Sequence, residues 1–318
     1  MIGQSVRWKR SSLLDDLADK VTRNEKMNKL SIELPECDGM LLPRVQPFLT
    51  DPGQRLRTIR DSTLDPTAVL LTTYPKSGTH WVWEIICMLL EGKSDYIPQS
   101  REAYYLEGLS DSDLQEVNQS KKRALSTHLP YRWLPKQHVQ NGGKIVHVIR
   151  NPKDVAISLY YHLKSGGFVK EMDIWDFVKQ RFISKEPRLY GGWFEYEKEF
   201  AVRSDKVYSL HYERLNKNPT TEIRKLAEYL RVNISDDFLR DVSEKCSFQN
   251  LKEADKTIKA DGMLKKMVQK AGRTGVPEIY RKGKSGTWKE HFTVAENEQL
   301  DQYIAEVMQD VHLDINFE

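Results

Sequence analysis

Hydrophobic positions along the chain alternate between short unbroken runs and stretches with helical spacing. The run Ala68-Val69-Leu70-Leu71-Thr72-Thr73 is followed by Trp81, Ile85, Met88 and Leu89 at helical intervals, which predicts strand, tight loop and helix. The alternation then recurs. Arg123-Ala124-Leu125-Ser126-Thr127-His128-Leu129 predicts a short strand stopped by Pro130. Lys144-Ile145-Val146-His147-Val148-Ile149-Arg150 predicts an apolar strand of the kind buried on both faces of a parallel sheet. Asn151 as N-cap, Pro152 at the first helical position and Asp154 in the first turn open a helix with Val155, Leu159 and Leu163 on its inner face. A polar helix is expected over Asp111 to Asn118 and another strand over Lys206 to Tyr212. Pro219 begins a helix carrying Ile223, Leu226 and Leu230, and a last amphipathic helix runs from about Glu296 to Met308. Strands alternating with helices predict an α/β fold: a single domain built on a doubly wound parallel sheet.

Two stretches fall outside this rhythm. Residues 1–30 are charge-rich, with an amphipathic hint at Leu13, Leu14, Leu17 and Val21, and are expected to be an N-terminal extension, a disordered arm in preference to a short surface helix, to a domain spanning 31–318. From Lys252 to Lys289 the chain turns Lys- and Gly-rich, and a mobile loop is expected there.

Composition narrows the partners. With 318 residues, 39% hydrophobic and 30% charged, the chain can bury a sizeable core. A formal net charge of +3 implies no polyanionic partner, so nucleic acid is not expected. The three cysteines, Cys37, Cys87 and Cys246, have no motif spacing, which supports neither a disulfide framework nor a zinc site. Arg7, Lys9 and Arg10 are followed by Asp15, Asp16, Asp19 and Lys20 rather than by an apolar leader. The longest apolar stretch, Trp81 to Leu90, is interrupted by Glu84. The expectation is a soluble cytoplasmic protein without a membrane partner, in which the sequons at Asn118 and Asn233 are chance matches.

Candidate chemistry centres on Tyr74-Pro75-Lys76-Ser77-Gly78-Thr79-His80-Trp81. At a strand-to-helix junction the first helical amides have no intrahelical partner, and the helix dipole favours negative charge there. Lys76 adds a cation, Gly78 permits close backbone approach, and Ser77 and Thr79 add hydroxyl donors, so the loop suits an anion. It is not the kinase P-loop G-x-x-x-x-G-K-[ST], because Lys76 precedes Gly78. Arg150 likewise ends a strand just before a capped helix, which makes a second anion site.

Tyr74 to Thr79 resembles the donor phosphosulfate loop of the cytosolic sulfotransferases, and the resemblance runs from about Phe48 to the C-terminus, including Tyr190-Gly191-Gly192-Trp193. It implies a P-loop-like phosphosulfate-binding loop in which Lys76, Ser77, Gly78, Thr79, His80 and Trp81 meet 3′-phosphoadenosine 5′-phosphosulfate (PAPS). Arg150-Asn151-Pro152-Lys153-Asp154-Val155-Ala156-Ile157-Ser158 is similar to the family's 3′-phosphate segment, which puts Arg150 and Ser158 on that phosphate. Arg281-Lys282-Gly283-Lys284-Ser285-Gly286-Thr287-Trp288-Lys289 resembles R-K-G-x-x-G-[DN]-W-K, so Arg281, Lys282 and Gly283 are expected to close over the same phosphate, with Thr287 a departure. Tyr212, Cys246 and Phe248 resemble the adenine-contacting positions, Cys246 replacing a threonine.

By the same resemblance, Ser126-Thr127-His128-Leu129-Pro130 matches the last four positions of K-T-H-L-P, which makes His128 the general base, with Lys76 also catalytic. Imidazole suits that role because its ordinary pKa of about 6.5 leaves it mostly neutral at physiological pH. Ser126 stands where the family's lysine does, so a cation at the sulfonate end is missing. Pocket positions for the acceptor are Phe48, Tyr105, Leu163 and Phe168, which suit a phenol or lipophilic alcohol. Lys289, Thr293, Val294 and Glu298 fit the K-x-x-x-T-V-x-x-x-E motif of the family's homodimers. The expected reaction is sulfonate transfer to a hydroxyl or amine of a small acceptor, with no metal. Two alternatives are a P-loop-like nucleotide kinase and a non-catalytic nucleotide-binding protein.

Overall fold

The computed structural model describes residues 33–118, 124–169, 171–258, 265–266, 269, 279–311 and 313–315. The N-terminal extension expected over 1–30 lies outside them. The strands are β1 (Glu36–Cys37), β2 (Met40–Leu41), β3 (Val69–Thr73), β4 (Ala124–Thr127), β5 (Lys144–Ile149), β6 (Arg188–Leu189) and β7 (Tyr208–His211). β3, β4, β5 and β7 form an all-parallel sheet in the order β4-β3-β5-β7. β1, β2 and β6 form a small second sheet.

Every residue of β3 is buried, and its alternate side chains enter different cores. Leu70 packs with Leu125, Ile145, Val155, Leu159 and Trp193, whereas Val69 and Leu71 pack with Val146, Val82, Ile85, Ile223 and Leu226. Helices therefore cover both faces, which accounts for the unbroken apolar strands. The helices that bear on the site are α1 (Pro52–Asp61), α2 (Thr79–Glu91), α3 (Pro152–Ser165), α4 (Trp193–Ala201), α5 (Pro219–Leu230), α6 (Asp236–Lys245), α7 (Phe248–Thr257) and α8 (Val294–Val307). Among the described residues, no helix is long and apolar enough to cross a membrane.

The order of strands locates the site. The chain leaves β3 to form β4 on one side and returns to form β5 on the other, so a crevice opens at the carboxyl ends of β3 and β5, where such sheets bind ligands. The anion loop follows β3, and Arg150 follows β5.

Several boundaries differ from the sequence reading. The strand expected over Lys206 to Tyr212 spans Tyr208–His211, and Tyr212 opens a short helix. α1 precedes the first expected element, with Asp51 capping it by accepting from the Gln54 amide at 2.8 Å. Lys252 to Thr257 are helical, not loop, because Leu251 and Ala254 bury one face of α7. α8 begins at Val294, where Thr293 and Glu296 form a reciprocal capping box.

Candidate active site

Between β3 and α2 the backbone is held in left-handed turns, with Lys76 at φ 71° and Gly78 at φ 102°. Gly78 has to be glycine for a second reason: a Cβ there would lie 2.8 Å from the Tyr212 ring. As the N-cap of α2 it offers no capping side chain, so the first amides of this helix remain for an anion. The hydroxyls of Thr73 and Thr79 bond at 2.7 Å and pin the end of the strand to the start of the helix. The Ser77 hydroxyl is fully buried and has no hydrogen-bond partner among the described residues. Lys76 Nζ lies 3.3 Å from His162 Nδ1.

The two anion sites touch. Arg150 donates to the Lys76 carbonyl at 2.8 Å and to the Lys284 carbonyl at 3.3 Å, with its guanidinium 4.1 Å from the centre of the Tyr212 ring. Its Nε is buried without a partner among the described residues. Asn151 caps α3 by accepting from the Lys153 amide at 2.9 Å, and Ser158 sits two turns along the same helix. The closing segment is fastened to α3 through the fully buried Asp154, which accepts from the Gly286 amide at 2.7 Å, the Thr287 hydroxyl at 2.9 Å and the Trp288 amide at 3.0 Å. Thr287 thus fits the site without disturbing it. Arg281 lies over the Tyr161 ring at 4.8 Å, and Lys282 pairs with Glu290. Gly283, at φ 64°, presses against Phe248 so closely that a Cβ would meet the ring at 2.1 Å.

These pieces line one cleft of about 310 Å³. Lys76, Gly78, Thr79, His80, Trp81, Arg150, Ser158, Tyr212, Cys246, Phe248, Arg281, Lys282 and Gly283 all reach it, whereas Ser77 lies behind its wall. Trp81 and Tyr212 meet edge to face at 5.4 Å, and Phe248 and Tyr280 at 6.2 Å, so an aromatic slot stands beside the phosphate loop.

His128 stands at the other end of this cleft, just beyond β4. Its Nδ1 lies 2.8 Å from the Thr73 carbonyl oxygen and 3.1 Å from the Thr73 hydroxyl. A carbonyl can only accept, so Nδ1 carries the proton and Nε2 is the ring's proton acceptor. The His128 amide donates to Glu107 Oε1 at 2.6 Å. Burial, and next the charge of Arg101, hold the imidazole down to about 3, so it is neutral at physiological pH. Burial alone lifts the Glu107 carboxyl to about 7 against the hydrogen bonds it accepts.

Around His128 the wall is aromatic and apolar. Tyr105 and Tyr190 flank the imidazole at 5.4 and 5.6 Å, and their hydroxyls bond to each other. Tyr105, Leu163 and Phe168 line the cleft as expected. Phe48 does not. It is fully buried in the core, since the short helix that carries it turns its apolar side inward. The wall there is supplied by Val45 and Leu189, from the region of the small sheet. Sequence reasoning missed Arg101, Tyr190 and Asp154. Tyr190 lay within the recognised Tyr190-Gly191-Gly192-Trp193 segment, whereas Arg101 carried no motif at all.

A parallel sheet of this order, with an anion loop at its switch point and a basic segment fastened beside it, is the sulfotransferase fold. The crystal structure of mouse sulfotransferase SULT7A1 complexed with PAP superposes on it with a TM-score of 0.68, at 24% identity, covering 86% of this chain and 94% of the other. The sulfotransferase domain family matches residues 66–312. Sulfotransferase 1B1 of Canis lupus familiaris is 32% identical over 249 residues, 74% of this chain and 81% of the relative. Sulfotransferase 2A1 of Homo sapiens is 30% identical over 267 residues, 81% and 90% of the respective chains. The chain belongs to the sulfotransferase family, and its activity is sulfotransfer.

Proposed function

We propose that this sulfotransferase takes sulfonate from PAPS and delivers it to a hydroxyl or amine of a small lipophilic acceptor, with His128 as general base. The observation that carries the reading is that one cleft joins two anion sites to a neutral imidazole whose Nδ1 is committed to Thr73. The fit to the nucleotide rests on Arg150 Nε, buried without a partner among the described residues, and on glycine at positions 78 and 283, where a Cβ would meet the Tyr212 and Phe248 rings that line the cleft. Lys76 and the α2 amides would hold the 5′ end. Arg150, Ser158 and the Arg281–Gly283 segment would hold the 3′-phosphate, with the base between Trp81, Tyr212 and Phe248.

Bound there, PAPS supplies a sulfonate already attached to a phosphate leaving group. His128 Nε2 takes the acceptor's proton as the new oxygen–sulfur or nitrogen–sulfur bond forms and the sulfur–oxygen bond to phosphate breaks. Lys76 and the loop amides offset the charge that develops on the leaving oxygen. An anion in the cleft favours the imidazolium, so His128 becomes a stronger base once the donor is in place. Tyr105, Leu163, Phe168 and Tyr190 favour an aromatic or aliphatic body on the acceptor. The exposed Lys289, Thr293, Val294 and Glu298 are the proposed two-fold dimer contact.

The test is twofold: a panel of phenols, alcohols and amines incubated with PAPS and read for sulfonation by mass spectrometry, and affinity for adenosine 3′,5′-bisphosphate against 5′-AMP. Charge-assisted contacts contribute about 1.5–3 kcal/mol each, so loss of the 3′-phosphate should weaken binding roughly a hundredfold. Equal affinities would defeat the assignment.

A further inference from the structure

We infer that Arg101 is a catalytic residue of this sulfotransferase, its guanidinium serving as the cation for the sulfonate oxygens in the place vacated by a lysine at position 126. The inference rests on the proposed PAPS reaction and concerns the end of the cleft where that reaction occurs.

Ser126 lies in the buried strand β4, two residues before His128, and has no charge to offer. Its hydroxyl is met by the Arg101 guanidinium, whose Nη1 lies 3.1 Å from Ser126 Oγ. Arg101 comes from the loop between α2 and β4, yet it is only 6% exposed and lines the cleft. Its position is set from several sides: Nη2 donates to Glu102 Oε1 at 3.2 Å, Nε lies 3.3 Å from His80 Nε2, and the guanidinium carbon sits 4.6 Å from the centre of the Tyr105 ring.

A planar cation held this firmly in a low-dielectric wall needs no reorganisation when negative charge arrives, and a fork of N–H donors suits the oxygens of a sulfonate. The surroundings leave room for that work. Among the described residues, Ser126 Oγ and Glu102 Oε1 accept from a group with five N–H donors. Glu102, the carboxylate that faces Arg101, is shared with His80 at 2.9 Å. Tyr105 links Arg101 to His128, since one ring carries Arg101 on its face and meets the imidazole at 5.4 Å. Arg101 is therefore one side chain removed from the proposed base. Arg101, Lys76, His80 and His128 all line the cleft, and both cations bear electrostatically on the two imidazoles.

The experiment moves the charge. In the full chain, Arg101→Ala, Arg101→Lys and the double variant Arg101→Ala/Ser126→Lys are compared with wild type. The readouts are transfer from PAPS to 2-naphthol, affinity for PAPS and for adenosine 3′,5′-bisphosphate, and melting temperature. Arg101→Ala should slow transfer about a hundredfold, the usual scale for losing one preorganised donor to developing charge. It should lower affinity for PAPS while that for the desulfated nucleotide, which has no sulfonate to contact, stays within about threefold. Arg101→Lys should lose less, and the double variant should regain most of the lost rate, because a cation again reaches the same oxygens. A structural role predicts a lower melting temperature, equal loss for both nucleotides and no rescue by Ser126→Lys, and that pattern overturns the inference. So does an Arg101→Ala protein that transfers at the wild-type rate. Failure of the PAPS reading itself looks different: wild type then binds neither nucleotide and sulfonates nothing, and the role of Arg101 falls with it.

Discussion

The Thr287 hydroxyl donates to Asp154 Oδ1 across 2.9 Å, at a position where related segments carry Asp or Asn. The same carboxylate also accepts from the Gly286 and Trp288 amides, so one buried side chain holds three donors of the closing segment against α3. Thr287→Val keeps the shape and removes one donor, which should lower stability by about 1–2 kcal/mol. Asp154→Ala strands all three and should lower it by roughly 3 kcal/mol or more. It should also weaken adenosine 3′,5′-bisphosphate binding, because Arg281 to Gly283 lose their anchor. Denaturant unfolding and nucleotide titration check both. Asp154→Ala binding at wild-type affinity would show that the segment is placed by something else.

His128→Ala should lower the transfer rate by at least about a hundredfold, the contribution of a positioned general base. Affinity for the desulfated nucleotide should be nearly unchanged, because in the proposed complex its charges fall to Lys76, Arg150 and the loop amides. Lys76→Ala should damage both. Turnover and titration on the same preparations separate the two effects. A His128→Ala enzyme of unaltered melting temperature and near-normal turnover would move the search to His162, which lines the cleft beside Lys76. His147 is the poorer substitute, since it is sealed against Glu197 and stacked on Phe200.

Acid should unfold the protein in a defined window. His128 and His80 are held by burial to about 3 and about 4. The unfolded chain takes up these protons near pH 6.5, so stability falls as pH drops from there towards 4. Glu107 opposes this. Its folded carboxyl, lifted to about 7, stays protonated where the unfolded one ionises near 4.3, so its contribution is lost as pH rises through that interval. Glu107→Gln removes the opposing group. The melting temperature of the variant should therefore fall more steeply than wild type between pH 7 and about 4.5. Parallel melting curves across that range would contradict the raised carboxyl.

Val294 is 76% exposed at the start of α8, beside the exposed Lys289 and Thr293. If this surface pairs two copies, the full chain runs as a dimer in light scattering at micromolar concentration, and Val294→Glu runs as a monomer with its melting temperature kept. A wild-type monomer would dismiss the contact.

What the sequence disclosed was governed by range. The anion loop, Arg150 and the cap of α3 are local devices, readable because a strand, a glycine and a few polar residues must stand together in the chain. The parallel sheet was legible for a similar reason: strands buried on both faces are apolar throughout. Arg101 was invisible because its meaning depends on Ser126, which lies on a different element and meets it only in the fold. Phe48 was misplaced because an aromatic residue near a family boundary looks alike in a core and on a cleft wall. The helical part of Lys252 to Lys289 was overlooked because one of the two inward positions that secure α7, Leu251, stands just before the lysine-rich stretch and the other is only an alanine, Ala254.

Lys153 is 2% exposed, and its ammonium bonds Asn297 Oδ1 at 2.6 Å and Asp301 Oδ1 at 2.5 Å on α8 while lying 4.3 Å from the centre of the Trp288 ring. Its neighbour Asp154 holds the segment from Gly286 to Trp288, so consecutive residues in the first turn of α3 carry both that strip and α8. Loosening α8 removes Asn297 and Asp301 from the Lys153 ammonium, next to the anchor of the strip, which couples the two parts. Amide exchange in α8 should accordingly slow when nucleotide occupies a cleft that α8 does not line, making the far end of the chain a reporter of what the cleft holds.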